Sequence, residues 1–348
     1  MPKLSYWGYD PADVSEFNFR DVLDIPEVSI HGLYKPHEIR KYMRLPDALG
    51  KSVNDGVAHL QYNTAGGRLR FATDADEFAL RVTQNHVGLM NHMDINSSSG
   101  FDVYVKEGSL ERFIAVLTPQ LKDDADAVHL IKLPKGHKEI TINMPLYNGF
   151  DKLELGLREG DAVAPHVPYS HALPIVYYGS SITQGACSSR PGICYQARIS
   201  RKYDTDFINL GFSGSARGED NIAEYMANLE MSAFVSDYDH NAPDTAHLLA
   251  THKKLYETIR AKHHDIPYII VGKPDVDIDY AERRCVVFDT YEYAIKSGDR
   301  QVYYIDSYQL FSGEGRYDCT VDGCHPNDVG FERMADVIGT VIARALKF

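Results

Sequence analysis

From Gly67 to Leu157 apolar and polar residues alternate in short runs: RLRFATD, FALRVTQ, FDVYVKEG, RFIAVLTPQ, AVHLIKL, EITINMPL and KLELGL. Each run is rich in β-branched and aromatic residues and is set off by Gly, Asp, Asn or Pro. Alternation with period two places every second side chain on one face of a sheet. Regularly spaced runs of this kind predict an antiparallel sandwich or jelly roll. Upstream, VSIHGLYK and the stretch around the sole tryptophan, Trp7, are expected to add edge strands and a lead-in.

From Leu173 the pattern changes. Near-continuous apolar runs, PIVYYG, DFINLGF, MSAFVSDY, PYIIVGK and VYYIDS, alternate with the helical stretches TAHLLATHKKLYETIRAKHH and YAERRCVVFDTYEYAIKSG, and FERMADVIGTVIARALKF closes the chain. Strands that are apolar on both faces and alternate with helices predict a parallel sheet covered on both sides. A chain of 348 residues exceeds what one core usually accommodates, so two domains are expected, over residues 1–165 and 172–348. In open parallel sheets ligands sit beyond the carboxyl ends of the strands. That is where a site is sought.

Composition narrows the function. The chain is 44% hydrophobic and 24% charged, with a formal net charge of −13. Without clustered Lys and Arg this balance argues against nucleic acid as a partner. No stretch of about 18 apolar residues predicts a membrane span. The opening MPKLSYWGYDPADVSEF lacks an apolar core of signal-peptide length, so a cytoplasmic protein is expected unless a leader has been trimmed. Five cysteines, an odd number, do not read as a disulfide framework.

The ends of the apolar runs carry the chemistry. After the first run comes Gly179-Ser180-Ser181-Ile182-Thr183-Gln184-Gly185, where a strand must turn abruptly into a helix. A serine in such a turn lifts its hydroxyl above the sheet. After the second run, Asn209-Leu210-Gly211-Phe212-Ser213-Gly214-Ser215 offers bare glycine N–H groups. After the third, Asp237-Tyr238-Asp239-His240-Asn241-Ala242-Pro243 offers a side-chain amide, and near the C-terminus lies Asp322-Gly323-Cys324-His325-Pro326. A nucleophile, two candidate oxyanion donors and a histidine with a carboxylate three residues earlier are the parts that acyl transfer from an ester needs. One turn of Asp-x-x-His lets the carboxylate hold one imidazole nitrogen and leave the other for the serine.

These four blocks in this order resemble the SGNH hydrolases, the GDSL-type esterase superfamily. The resemblance implies Ser181 as nucleophile, Asp322 and His325 as its partners, and an oxyanion hole of Ser181, Gly214 and Asn241. Gly-Ser-Ser replaces the usual Gly-Asp-Ser, and Asp239-His240-Asn241-Ala242 replaces Gly-x-Asn-Asp. Gly100-Phe101-Asp102-Val103-Tyr104 is similar to the Gly-x-Asp-Leu-Tyr signature of a bacterial subgroup with an N-terminal β-sandwich. The implied architecture is an antiparallel, jelly-roll-like β-sandwich followed by a flavodoxin-like α/β domain with a five-stranded parallel sheet. The implied activity is a serine esterase without cofactor that removes an acyl group, acetyl above all, from a carbohydrate.

Alternatives stay open beside this reading. The substrate could be a lipid, aryl or small-metabolite ester, or the chain could bind carbohydrate with a vestigial hydrolase half. The sandwich could bind glycan, wall the site or build a homo-oligomer interface. Asp237, Tyr238 and His240 are candidate substrate contacts, because they sit one loop from the expected site. Ser180 is read as serving the turn, and Arg217 and Glu219 as helix-start charges.

No metal is expected. Asp275, Asp277 and Asp279, and His263-His264-Asp265, lack the spacing of a cation loop. His86, His92 and Asp94 read as polar groups of strands and turns. Cys187 and Cys194, like Cys319 and Cys324, have poor zinc spacings and read as packing thiols, with a redox-sensitive pocket as the alternative.

Overall fold

The alternating runs of the first half pair into two antiparallel sheets. One contains Arg68–Thr73, Lys138–Asn143, Phe101–Glu107 and Leu110–Leu117 in that spatial order, with Ser29–His31 and Val163–Ala164 sharing the outer edge of Arg68–Thr73. The other orders Phe17–Asp21, Lys152–Arg158, Glu77–Thr83 and Ala127–Lys132. Leu69, Phe71, Val103, Val105, Ile140 and Ile142 of the first meet Phe78, Leu80, Val82, Leu153 and Leu155 of the second in one buried cluster, which makes the pair a β-sandwich. This computed structural model describes residues 13–348 except 85, 109, 121–125 and 275–280, plus a short strand pair, Leu4–Ser5 with Gly8–Tyr9. Trp7 and the aspartates Asp275, Asp277 and Asp279 lie outside the described residues.

In the second half the five apolar runs form one parallel sheet, ordered Thr205–Gly211, His171–Gly179, Ala233–Asp237, Tyr268–Val271 and Val302–Ile305. In chain order this is 2-1-3-4-5, the flavodoxin-like arrangement. Alternate residues of the first strand point into different cores. Val176 and Tyr178 pack with Ile222, Leu248, Leu255 and Val287 of the helices Asp220–Ala227, Thr245–Arg260 and Ala281–Lys296. Ile175 and Tyr177 pack with Ile199, Phe331, Met334 and Ile338 of Tyr195–Tyr203 and Asp328–Leu346. Two covered faces are why these strands carry no polar alternation. Among the described residues no helix is long and apolar enough to cross a membrane.

The polar face of the strand Arg68–Thr73 is covered as well as its apolar face. Arg68 and Arg70 are 2% and 1% exposed, because this face docks on the parallel-sheet half. Arg68 pairs with Asp206, donates to the Phe207 carbonyl at 3.0 Å and stacks on the Phe207 ring. Four short helices in the first half, Pro36–Ile39, Asp47–Val53, Asp55–Leu60 and Ile95–Ser98, carry too few turns to show a helical period. Leu45 and Val57 from this region join the core of the parallel-sheet half.

Candidate active site

Pairing brings three strand ends level. Gly179 stands opposite Gly211 on one side and Asp237 on the other, so the loops that follow them converge over one edge of the sheet. A Cβ on Gly179 would lie 2.3 Å from both Asp237 Oδ1 and Thr183 Oγ1, so only glycine fits at the turn. Ser180 then caps the helix Ser181–Gln184, its side chain accepting from the Ile182 N–H at 3.1 Å. Its own N–H donates to the Asp237 carbonyl and carboxylate, both at 3.2 Å. Ser180 therefore serves the turn, and Ser181 is the serine presented to the site.

The fourth loop arrives from the C-terminal side. Asn327 caps the last helix through the N–H groups of Val329 and Gly330, and a short bridge between Thr320 and Pro326 closes the turn before it. Within that turn Asp322 Oδ1 accepts from the N–H groups of Cys324 and His325 at 3.0 and 2.7 Å, while Oδ2 faces His325 Nδ1 at 2.8 Å. With Nδ1–H donated to Asp322, Nε2 is left to accept from the Ser181 hydroxyl, 2.9 Å away. Partial burial alone raises the Asp322 carboxyl, but the His325 and Cys324 hydrogen bonds outweigh it and push it down to about 2. At neutral pH the carboxylate is thus charged and holds one orientation of the ring.

The loop after the second strand turns at Gly214, whose φ of +65° favours glycine. Its N–H is not open to a ligand: it donates to Asn241 Oδ1 at 3.2 Å. Asn241 in turn donates from Nδ2 to the Phe212 carbonyl at 2.8 Å, leaving its second amide hydrogen. An oxyanion role for Gly214 therefore requires that its N–H be shared with, or released by, Asn241. Ser181 opens its short helix, so its N–H has no intrahelical carbonyl to reach. Gly211 is no competitor, since its N–H is taken by Asn209 Oδ1 at 2.9 Å.

Two of the expected substrate contacts, Asp237 and Tyr238, lie buried. Asp237 is 4% exposed and lies under the turn that carries Ser181, accepting from Ser180 and Tyr195. Burial pushes its carboxyl up to about 7. Tyr238 is 1% exposed, bonds Thr251 and stacks on His252 in the core. Asp237 ends the strand Ala233–Asp237 and Tyr238 follows it directly, where its ring packs into the helix-covered core. His240 alone of the three reaches the rim, with Nε2 3.3 Å from Cys324 Sγ, and burial and nearby Lys273 push it down to about 3. Arg217 donates to the Gly214 carbonyl, and Glu219 accepts the Arg217 N–H and caps nothing through its side chain.

Groups from the sandwich half reach the site without any local motif. Tyr147 donates its hydroxyl to the Ser181 carbonyl at 3.2 Å. The His92 ring meets the His325 ring edge-on, with centroids 5.3 Å apart. Arg44, 2% exposed, donates to the Gly211 and Asn209 carbonyls and lies over Phe212, bracing the loop that carries Gly214. Asp102, the acidic residue of the Gly-x-Asp-Val-Tyr stretch, is fully buried. It binds Arg190 and the Gly192 N–H, in the segment just after the nucleophile helix, at 2.9 and 2.8 Å. A single sequence marks these residues only weakly; the Gly-x-Asp-Val-Tyr stretch was the one legible signal.

Known proteins resemble both halves of the chain. Residues 172–343 match the GDSL-like lipase/acylhydrolase family, and residues 17–163 match the N-terminal domain of SGNH-hydrolase-type esterases. No curated protein matches by sequence. Among solved structures, a protein of Bacteroides ovatus described as a GDSL-like lipase is 25% identical with a TM-score of 0.84, covering 95% of this chain and 98% of that one. The salicylyl-acyltransferase SsfX3 of a tetracycline biosynthetic pathway is 18% identical with a TM-score of 0.76 over the same shares. A family two carbohydrate esterase of Clostridium thermocellum is 14% identical with a TM-score of 0.59, covering 81% of this chain and 93% of that one. The last two likenesses speak to the fold. Residues 172–343 thus belong to the GDSL-like lipase/acylhydrolase family and residues 17–163 form the N-terminal domain of an SGNH-hydrolase-type esterase, which makes the chain an ester hydrolase.

Proposed function

We propose that Ser181, His325 and Asp322 act as a catalytic triad that removes acetyl groups from a carbohydrate through an acyl-enzyme. The observation that carries the reading is the continuous relay from Ser181 Oγ to His325 Nε2 and from Nδ1 to Asp322. His325 takes the Ser181 proton as Oγ attacks the ester carbonyl, and Asp322 stabilises the imidazolium. The Ser181 N–H and the remaining Asn241 amide hydrogen meet the oxyanion, joined by the Gly214 N–H once it leaves Asn241 Oδ1. His325 then protonates the departing sugar hydroxyl, and water entering on the same side releases the acid. The acetyl and carbohydrate parts of this reading draw on the family two carbohydrate esterases and on the acetyl xylan esterase of Butyrivibrio proteoclasticus, which share the fold.

Acetate release from p-nitrophenyl acetate and from acetylated xylo- and manno-oligosaccharides, wild type beside Ser181→Ala, tests the proposal. Release that disappears in the variant supports the triad, and the better oligosaccharide names the substrate. A folded wild type inactive on all of them sinks the acetyl-carbohydrate reading. The likeness to a salicylyl-acyltransferase favours a second reading, an aryl acyl group passed to an alcohol rather than water. An aryl ester supplied with an alcohol acceptor separates the two by product.

A further inference from the structure

We propose that His92, Cys187 and His325 form a three-ligand site for a zinc-class divalent cation, whose occupancy silences the esterase by taking His325 away from Ser181. The silencing half rests on the triad reading above; the binding half stands on the geometry alone. One donor atom from each of the three residues lies within 4.8 Å of the others. A tetrahedral cation with bonds of about 2.0–2.3 Å places its donors about 3.3–3.8 Å apart, so a shift of about an ångström closes the site. Side-chain rotation supplies that without moving the backbone.

The chain delivers each ligand by a separate device. A bridge between Met90 and Met93 closes the turn that carries His92. Met93 anchors this turn in a small apolar cluster with Ala65, Leu146, Ala186 and Cys187 itself, joined by Tyr147. Cys187 is buried and its backbone sits at φ +72°, a left-handed conformation that a residue with a Cβ adopts only when its surroundings hold it there. The packing-thiol reading explains its burial but not that conformation. His325 has Nδ1 committed to Asp322, so Nε2, which faces the Ser181 hydroxyl, is the nitrogen it can turn to a cation.

The chemistry of the set fits. Two imidazoles and a thiolate are donors for zinc rather than for magnesium or calcium. Asp322 behind His325 is the carboxylate that commonly backs a metal-binding histidine. On binding, Cys187 gives its thiol proton to solvent and the cation takes its place. His325 Nε2 cannot both bind the cation and accept the Ser181 proton, so the bound state lacks a base. Asp322, Cys324 and His325 also cluster within 4.8 Å. That set would cost the Asp322–His325 bond, and Cys324 Sγ faces His240 instead.

Two titrations of the full chain decide this, each on wild type, His92→Gln and Cys187→Ser. In the first, Zn2+ is titrated against acetate release from p-nitrophenyl acetate, and each protein is compared with its own metal-free rate. Inhibition reversed by EDTA is expected, with at least about tenfold more Zn2+ required by either variant. In the second, Co2+ is added to the same three proteins, and a thiolate-to-cobalt charge-transfer band is expected in wild type that Cys187→Ser removes. Should Cys187→Ser fail to fold, His92→Gln alone must still weaken both responses. Unchanged inhibition in His92→Gln, or cobalt bound without the thiolate band, overturns the proposal. An inactive wild type that still gives the band would remove the triad reading and leave the metal site standing.

Discussion

At the scale of single residues, charge and hydrogen-bond inventory decide roles that proximity alone does not. Asn241 spends its oxygen on Gly214 and one amide hydrogen on Phe212, which fixes the second hydrogen in place without rotamer freedom. Asn241→Ala should therefore lower kcat by about 10²–10³-fold with the fold intact. A loss under about threefold in steady-state kinetics would take Asn241 out of the mechanism. Asp237 makes a different prediction. Burial disfavours the charged form and pushes its carboxyl up from the ordinary 3.8 to about 7 in the folded state. The folded state then holds the extra proton between those values, so the contribution of Asp237 to stability is full below about 4 and is lost as pH rises towards 7. Relative to wild type, Asp237→Asn should gain melting temperature steadily across that window; a constant difference at pH 4, 5.5 and 7 would contradict the raised pKa.

At the scale of elements, two glycines at adjoining strand ends respond differently to the same change. Gly179→Ala drives a Cβ to 2.3 Å from Asp237 and Thr183, so the nucleophile turn must shift. A loss of about 1–3 kcal/mol, together with most of the activity, is expected. Gly214→Ala meets no atom within 4 Å and only strains a φ of +65°. That costs about 1–2 kcal/mol, and the N–H that matters remains. Thermal melts paired with turnover separate the cases: Gly214→Ala should keep far more activity per unit of lost stability. These elements were legible in advance because their signals are local. A period of two, a period of 3.6 and a glycine-serine turn each express the geometry of a few consecutive residues. The short helices between Pro36 and Leu60 were not, since one or two turns cannot establish a period.

At the scale of the whole molecule, the sandwich is part of the site's scaffold. Asp102 holds Arg190 and Gly192, Arg44 braces the Gly214 loop, and Arg68 and His31 both bind Asp206 beside the second strand. Removing one member of a buried ion pair leaves the other uncompensated, at about 3–5 kcal/mol. Asp102→Ala should lower the melting temperature accordingly. Calorimetry should give one transition for both halves in wild type; two well-separated transitions would show that the halves do not rely on each other.

The sequence by itself determined the elements, the sandwich strands and the five parallel strands, and marked Ser181, Asn241 and the Asp322–His325 turn as candidates in the loops that follow them. Each is encoded within a few residues, where backbone geometry and side-chain reach are set locally. Only the tertiary structure decided which faces are covered. It buried Asp237 and Tyr238, which their place one loop from the expected site had left as candidate substrate contacts. It also set the arginine face of Arg68–Thr73 in an interface, and His92, Tyr147 and Cys187 near Ser181 and His325. Coverage depends on segments a hundred or more residues apart meeting in space, and a periodicity carries no record of its distant partner.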